Sequence, residues 1–535
     1  MTSVSANRAA DRWLGLGIFL LVLGVYLLSS PGRIDIVDGQ IRFDVTQSWI
    51  STGLPELRDP ALQGYGLAGR DGKLFAFYNA GPSVAGAALV WLGRTVTDEV
   101  GEKQRFLFSL TSAFFGAGTI VLLFFWLRSL GCGASRSLGF SLIAAFATYL
   151  WPLSATTFDQ VQHAFFLSAS LYLGWQAGVR DSLALSAWAG VAFGCLLNYQ
   201  EYFILLWPAL FLLTLRGETL ARSRSRSRVL VQLVPILIGV ALLFAFNELR
   251  FGVAYLFNRQ PIGIVQPAAL GNPLVGIPSL LLSPGKSILL YSPVLVLGVL
   301  GLRRLRDRDP WLLRALLLTT ATQMLFISWL SFFGSDWAWG PRYLGPLIAL
   351  WILPAALWLP SGRRSHRMRV AIVVAGLAVQ LLGLSIDNHR FFFEHRLHGF
   401  FWKSEPWFYF RHSALLERPG EIRRSWREWR ADEATEFAPV PYRGLVTYMT
   451  VGNADRERAP EWIRGYRSFH LPRPWPFWMA GLEASLRPVN LQRAIGSCFI
   501  LVGVGASFLL YGGRRSRRGE DPGRRRTEFQ GGDGA

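Results

Sequence analysis

Along this chain the apolar residues fall in long unbroken runs, and the charges are confined to the gaps between them. Runs long enough to cross a bilayer are read at 13–30, 105–128, 137–152, 163–178, 183–198, 201–215, 229–247, 288–302, 311–330, 342–360, 370–386 and 491–511. Several are shorter than the ~20 residues of an ordinary span. A soluble core would interleave charge at helical or strand period, which this pattern does not do. It predicts an all-α integral membrane protein with about twelve transmembrane helices. A further apolar stretch, 77–93, follows a polar first loop, and whether it spans decides the topology of everything after it.

The arginines settle that point. If 77–93 does not cross, one side of the membrane collects Arg8, Arg12, Arg128, Arg136, Arg180, Arg222–Arg228, Arg303–Arg308, Arg363–Arg369 and the Arg514–Arg526 tail. The short loops of the other side then hold only Arg250, Arg259, Lys286 and Arg342. Positive loops stay in the cytoplasm. Residues 77–93 are therefore expected to form a juxtamembrane or re-entrant helix on the outer face, with both termini cytoplasmic. The first span is expected to be an uncleaved anchor, because LLSSPGR offers no small-x-small cleavage site.

The chain is expected to divide into a transmembrane module over 1–386, which includes a first external loop at 31–95. An external aromatic-rich segment at 387–490, a last helix at 491–512 and a basic disordered tail at 513–535 follow. Composition agrees: of 535 residues 51% are hydrophobic and 14% aromatic, and the mean hydropathy is +0.29. The net charge of +20 is spent on topology and not on one amphipathic face, so nucleic acid is not an expected partner. Cys132, Cys195 and Cys498 lie in or beside apolar runs, with neither a disulfide framework nor metal-ligand spacing.

Polar residues able to do chemistry gather at the outer ends of the spans. The first loop carries Asp35, Asp38, Asp44, Glu56, Asp59, Asp71, Lys73 and Tyr78. Asp159 and His163 follow in SATTFDQVQHAFF, four apart and on one face of a helix starting there. Then come Glu201, Arg250 in NELRFG, Lys286 in SPGKSILLYSP, and Asp336 with Arg342 in GSDWAWGPRY. Each has a plainer reading beside it. Asp44 suits a helix cap, His163 a hydrogen bond to Asp159, and Arg342 and Lys286 snorkelling to headgroups. The aromatics of 387–490 suit an interfacial belt as well as sugar stacking.

VDGQIRFDVTQSWISTG, DGKLFAFYNAGPSVAGAALVWLG, NELRFG, LSPGKSILLYSP and SDWAWGPRYLGP together resemble the GT-C superfamily of polytopic glycosyltransferases. The set is most similar to its bacterial dolichyl-phosphate-mannose-protein mannosyltransferase-like and arabinosyltransferase-like branches. With gaps, the resemblance covers about residues 13 to 360, and the order of the motifs carries it. It implies a polyprenyl-phosphate-linked sugar donor and an acceptor (glycan, lipid or protein) at the external face of a bacterial cytoplasmic membrane. It also implies an acidic residue early in the first external loop, which maps onto Asp38. The adjacent acidic pair of the family is here Asp38-Gly39, which puts in doubt a metal role for a second carboxylate and leaves Asp44 or Asp35 as its substitutes; a divalent metal stays open.

The residue types suit that chemistry. A polyprenyl phosphate leaves without a general acid, unlike the leaving group of a glycoside hydrolase. One carboxylate can take the acceptor proton, and Lys73, Arg250, Lys286 or Arg342 can hold the departing phosphate. A single displacement inverts the anomeric carbon. Two alternatives remain: a lipid-linked-sugar flippase or carrier, which calls for midplane charge and internal repeats, and a non-catalytic lipid-binding relative.

Overall fold

In hydrocarbon a backbone amide has no water to bond, so a long apolar run closes its hydrogen bonds within itself as helix. The computed structural model describes residues 2–32, 34–96, 102–218, 220–254, 271–335, 337–359, 362–386, 388, 391, 407–430, 436–442, 445–450, 469–470 and 488–520. Its helices are α1 (Thr2–Ser29), α2 (Val37–Thr52), α3 (Ala80–Val96), α4 (Glu102–Ser109), α5 (Thr111–Ser129), α6 (Ala134–Phe146), α7 (Leu150–Ser154), α8 (Gln160–Arg180) and α9 (Leu183–Leu197). They continue as α10 (Trp207–Leu215), α11 (Ser223–Phe251), α12 (Pro273–Leu282), α13 (Ile288–Tyr291), α14 (Leu295–Arg308), α15 (Pro310–Ser328), α16 (Ile348–Leu357) and α17 (Gly362–Ser385). Beyond them lie a turn, Phe408–Arg411, the helix Ala414–Arg430 and a last helix, Pro488–Glu520.

The chain is an all-α, multi-pass membrane protein. Among the described residues six helices are long and apolar enough to cross a bilayer: Ala9–Ser29, Gln104–Ser129, Ser223–Phe251, Pro310–Ser328, Gly362–Ser385 and Ile495–Arg514. Of the other expected spans, 163–178 lies within the unbroken 21-residue α8, and the rest coincide with helix that is shorter or broken. The run at 137–152 divides into α6 and α7, and the run at 288–302 into α13 and α14. α12 lies outside all the expected runs. α11 leaves Leu230, Val234, Leu237, Ile238 and Leu242 exposed along one face, an apolar surface suited to lipid.

The first loop carries two helices, α2 and α3, and α3 overlaps the 77–93 stretch. α2 ends at Gly53, whose left-handed backbone (φ 76°) lets its N–H return to the Trp49 carbonyl. Between α2 and α3 a short antiparallel hairpin pairs β1 (Gly66–Ala68) with β2 (Leu74–Ala76). A second small sheet, β4 (Leu445–Thr450), β3 (Glu436–Tyr442) and β5 (Phe469–His470) in that spatial order, belongs to the 387–490 segment.

Helices meet closely where glycine removes a side chain. A Cβ at Gly301 in α14 would sit 1.8 Å from the Pro354 carbonyl oxygen of α16. Gly301→Val is therefore expected to lower the thermal unfolding temperature of the detergent-purified chain, at a cost of about 1–3 kcal/mol or more. Gly503→Val, where the space is open, leaves it unchanged.

The described start of the 387–490 segment is fastened to the helical body. Gly285 N–H donates to the Tyr409 carbonyl (3.0 Å), and the Ser413 hydroxyl donates to the Pro284 carbonyl (2.5 Å). Arg418, fully buried, donates to Asn388 Oδ1 (2.7 Å) and lies 5.0 Å over the Trp339 ring. The last helix runs to Glu520, past the expected start of the tail; residues 521–535 lie outside the described residues.

Candidate functional site

α2 places Asp38 in its first turn, where the unpaired N–H groups favour a carboxylate. The next residue, Gly39, faces the loop before α8. A Cβ there would lie 2.3 Å from Thr157 Oγ1, so the helix can approach this loop only through glycine. That contact explains the missing second carboxylate of the resemblance: no side chain fits at position 39. Asp35 secures the other side of the loop, accepting from Thr157 N–H (2.8 Å) and Oγ1 (2.6 Å).

Two tiers of charge result. In the accessible tier Asp38, about one third exposed, faces Arg342 Nη1 at 3.8 Å and accepts from the Tyr78 phenol. Burial first, and then the charge of Asp38, hold the Tyr78 phenol protonated, well above its ordinary range. The Arg342 guanidinium lies 3.7 Å over the Phe158 ring and donates to Tyr343 Oη at 3.3 Å. Its position at the start of the 3₁₀ turn Arg342–Leu347 is set from behind by Lys286, whose ammonium donates to the carbonyls of Ser335, Ala338 and Gly340 (3.3, 3.0 and 3.0 Å).

In the buried tier Arg42, one turn after Asp38, passes beneath the Tyr78 ring (4.6 Å) to Asp159 Oδ2 at 3.0 Å. His163 Nε2 approaches the same oxygen at 3.5 Å, and Gln160 donates to Oδ1 at 2.8 Å. Burial opposes ionisation of Asp159, but Arg42, then His163, outweigh it and hold the carboxyl below the usual range. Asp159 and Asp38 in turn keep Arg42 charged against its own burial. A cavity of ≈ 10 Å³ beside this pair, bounded by Thr111, Ser112 and Gln162, has room for about one water.

The other candidates separate from this centre. Asp44 accepts the backbone N–H groups of Arg58 (2.7 Å) and Asp59 (3.1 Å), so it shapes the end of the loop; burial raises its pKa. Lys73 pairs with Glu56 at 2.5 Å. Buried Arg250 holds the carbonyls of Ala76 (2.5 Å) and Tyr78 (2.8 Å), fixing the strand that presents Tyr78. Glu201 is exposed at the start of a 3₁₀ turn, Glu201–Leu206. Asp336 lies outside the described residues. No three His, Cys, Asp or Glu side chains come together as a metal site among the described residues. Arg42 was not among the sequence candidates, although its i, i+4 spacing from Asp38 was a readable signal.

Fold and site together define a multi-pass helical membrane protein with a charged cluster assembled by its interhelical loops. No protein-family model matches the sequence, and no curated protein matches it. Among solved structures the chain is similar to the apo oligosaccharyltransferase of Archaeoglobus fulgidus, with 12% identity and a TM-score of 0.44 over 72% of this chain and 56% of that one. It is also similar to ArnT from Cupriavidus metallidurans bound to undecaprenyl phosphate (15% identity, TM-score 0.47) and to the same protein in the apo state (14%, 0.45). Each of these two covers 80% of this chain and 81% of ArnT. The chain thus spans little more than half the length of the archaeal protein.

Proposed function

We propose that the chain is a GT-C-type glycosyltransferase that moves a sugar from a polyprenyl-phosphate donor to an acceptor hydroxyl at the outer face of a bacterial cytoplasmic membrane. The observation that carries this reading is the Asp38–Arg342 contact at 3.8 Å, which puts a part-exposed carboxylate able to act as base beside a guanidinium able to hold phosphate. In the ligand-free chain each is the other's counter-charge. A donor phosphate takes the place of Asp38 on the Arg342 fork, and Asp38 turns to the acceptor. The acceptor oxygen bonds to the anomeric carbon as its proton passes to Asp38. The bond from that carbon to the phosphate oxygen breaks, and the departing polyprenyl phosphate keeps the electron pair and rests on Arg342. The anomeric carbon inverts. Tyr78, held protonated, stays a donor to Asp38 and fixes its rotamer, and Lys286 keeps the Arg342 loop in place without touching the phosphate.

The first test is genetic. Deleting the gene is expected to remove one sugar linkage from the cell-envelope glycans, and wild-type complementation to restore it; an unchanged glycan profile would sink the proposal. At the enzyme level Arg342→Lys is expected to raise the donor KM at least tenfold, because an ammonium cannot offer two parallel bonds to phosphate. A donor titration with the purified chain checks this.

A further inference from the structure

Away from the charged site, α1 and α5 run antiparallel, with Asp11 beside Arg128 at one end and Tyr26 beside Gly116 further along. Between them, closed by Phe165 of α8, lies a groove of ≈ 330 Å³. Its walls repeat at i, i+3, i+4 and i+7 on both helices: Arg12, Gly15, Leu16 and Phe19 on α1, and Gly118, Val121, Leu122 and Phe125 on α5. All are apolar except Arg12, which stands at the N-terminal mouth.

Arg12 lies inside the apolar span Ala9–Ser29 and is exposed. Its neighbour Asp11 is taken by Arg128 Nε at 2.9 Å, and among the described residues no carboxylate pairs with Arg12. A guanidinium at the edge of the hydrocarbon calls for an anion at the same depth. The anion native to that depth is a lipid phosphate, and the apolar channel running inward from Arg12 matches the lipid's own chain.

We infer that this groove binds an anionic phospholipid, with its phosphate on Arg12 and one acyl chain between α1 and α5. The site is independent of the proposed transferase chemistry and does not need it to be correct. It is filled from the leaflet on the N-terminal side, where basic groups attract anionic headgroups.

The full chain, reconstituted in phosphatidylcholine nanodiscs containing a minor fraction of phosphatidylglycerol, is released into detergent and weighed by native mass spectrometry. Wild type is expected to retain one phosphatidylglycerol in preference to phosphatidylcholine. Arg12→Gln, on the exposed face and harmless to packing, is expected to lower that retention roughly fivefold, Arg12→Lys to keep most of it, and Arg136→Gln to leave it unchanged. Val121→Trp, which fills the groove with Arg12 intact, is expected to abolish retention. Equal retention of the two lipids, or equal phosphatidylglycerol retention by wild type and Arg12→Gln, overturns the proposal. So does undiminished retention by a folded Val121→Trp chain.

Discussion

Asp38→Asn in the purified, folded chain is expected to lower turnover by roughly 10²–10⁴-fold, the usual contribution of a positioned base. The amide keeps the shape of the carboxylate and can still accept from Tyr78, so the site retains its geometry. It cannot take the acceptor proton. It also no longer competes as a counter-charge for Arg342, 3.8 Å away, so the donor KM is expected to stay level or fall. That split separates loss of a base from loss of structure, in which turnover would fall with the folded fraction. Asp44→Asn serves as the contrast. Its carboxylate is engaged by two backbone N–H groups at 2.7 and 3.1 Å, so the expected loss is of stability in the loop, with turnover per folded molecule preserved. Full activity in Asp38→Asn would remove the base from this position and favour a non-catalytic role for the site.

The second large effect lies one turn further along α2. Arg42→Met is expected to destabilise the fold by about 3–5 kcal/mol, because it strands the buried Asp159 carboxylate without its paired cation, leaving Gln160 at 2.8 Å and His163 at 3.5 Å. The same arginine donates to the Thr157 carbonyl at 3.4 Å, so the loop that receives Gly39 loosens as well. Replacing both partners, Arg42→Met with Asp159→Leu, is expected to recover most of the loss, since two apolar side chains leave no buried charge. Thermal unfolding of the single and double variants in one detergent measures it. An additive double variant would show that the pair is not coupled. The low Asp159 pKa sets the pH sense: the pair contributes fully above the usual carboxylate range, and the contribution is lost as pH falls through the depressed value.

The architecture was legible because the bilayer imposes it. Long apolar runs leave the backbone no partner but itself, and the apolar stretch 77–93 already marked the place of α3. The kinks that shorten α6 and α14 were not, since apolar runs look alike whether a helix is continuous or broken. At the site, Asp38, Tyr78, Asp159, His163 and Arg342 could be listed from their types and their positions at span ends, and the structure brings these five together. The duties of Lys286 and Arg250 could not be read. Each holds backbone carbonyls tens or hundreds of residues away, and a carbonyl has no letter in a sequence. Gly39 had looked like a defect in a motif. Its meaning depends on Thr157, a neighbour in space more than a hundred residues distant, and no local pattern encodes that approach.

The fastening of Tyr409, Ser413 and Arg418 onto Pro284, Gly285 and Trp339 has a consequence for biosynthesis. The ribosome delivers Lys286 and Arg342 to the membrane well before it delivers Arg418. Until then the Trp339 ring lacks its cation, the Pro284 carbonyl lacks its donor and the Gly285 N–H lacks its acceptor. The loop that carries Lys286 is thus buttressed late, after the helices that precede residue 386 have been made. A nascent chain halted short of residue 407 would carry every candidate catalytic side chain and still lack the contacts that hold Pro284, Gly285 and Trp339.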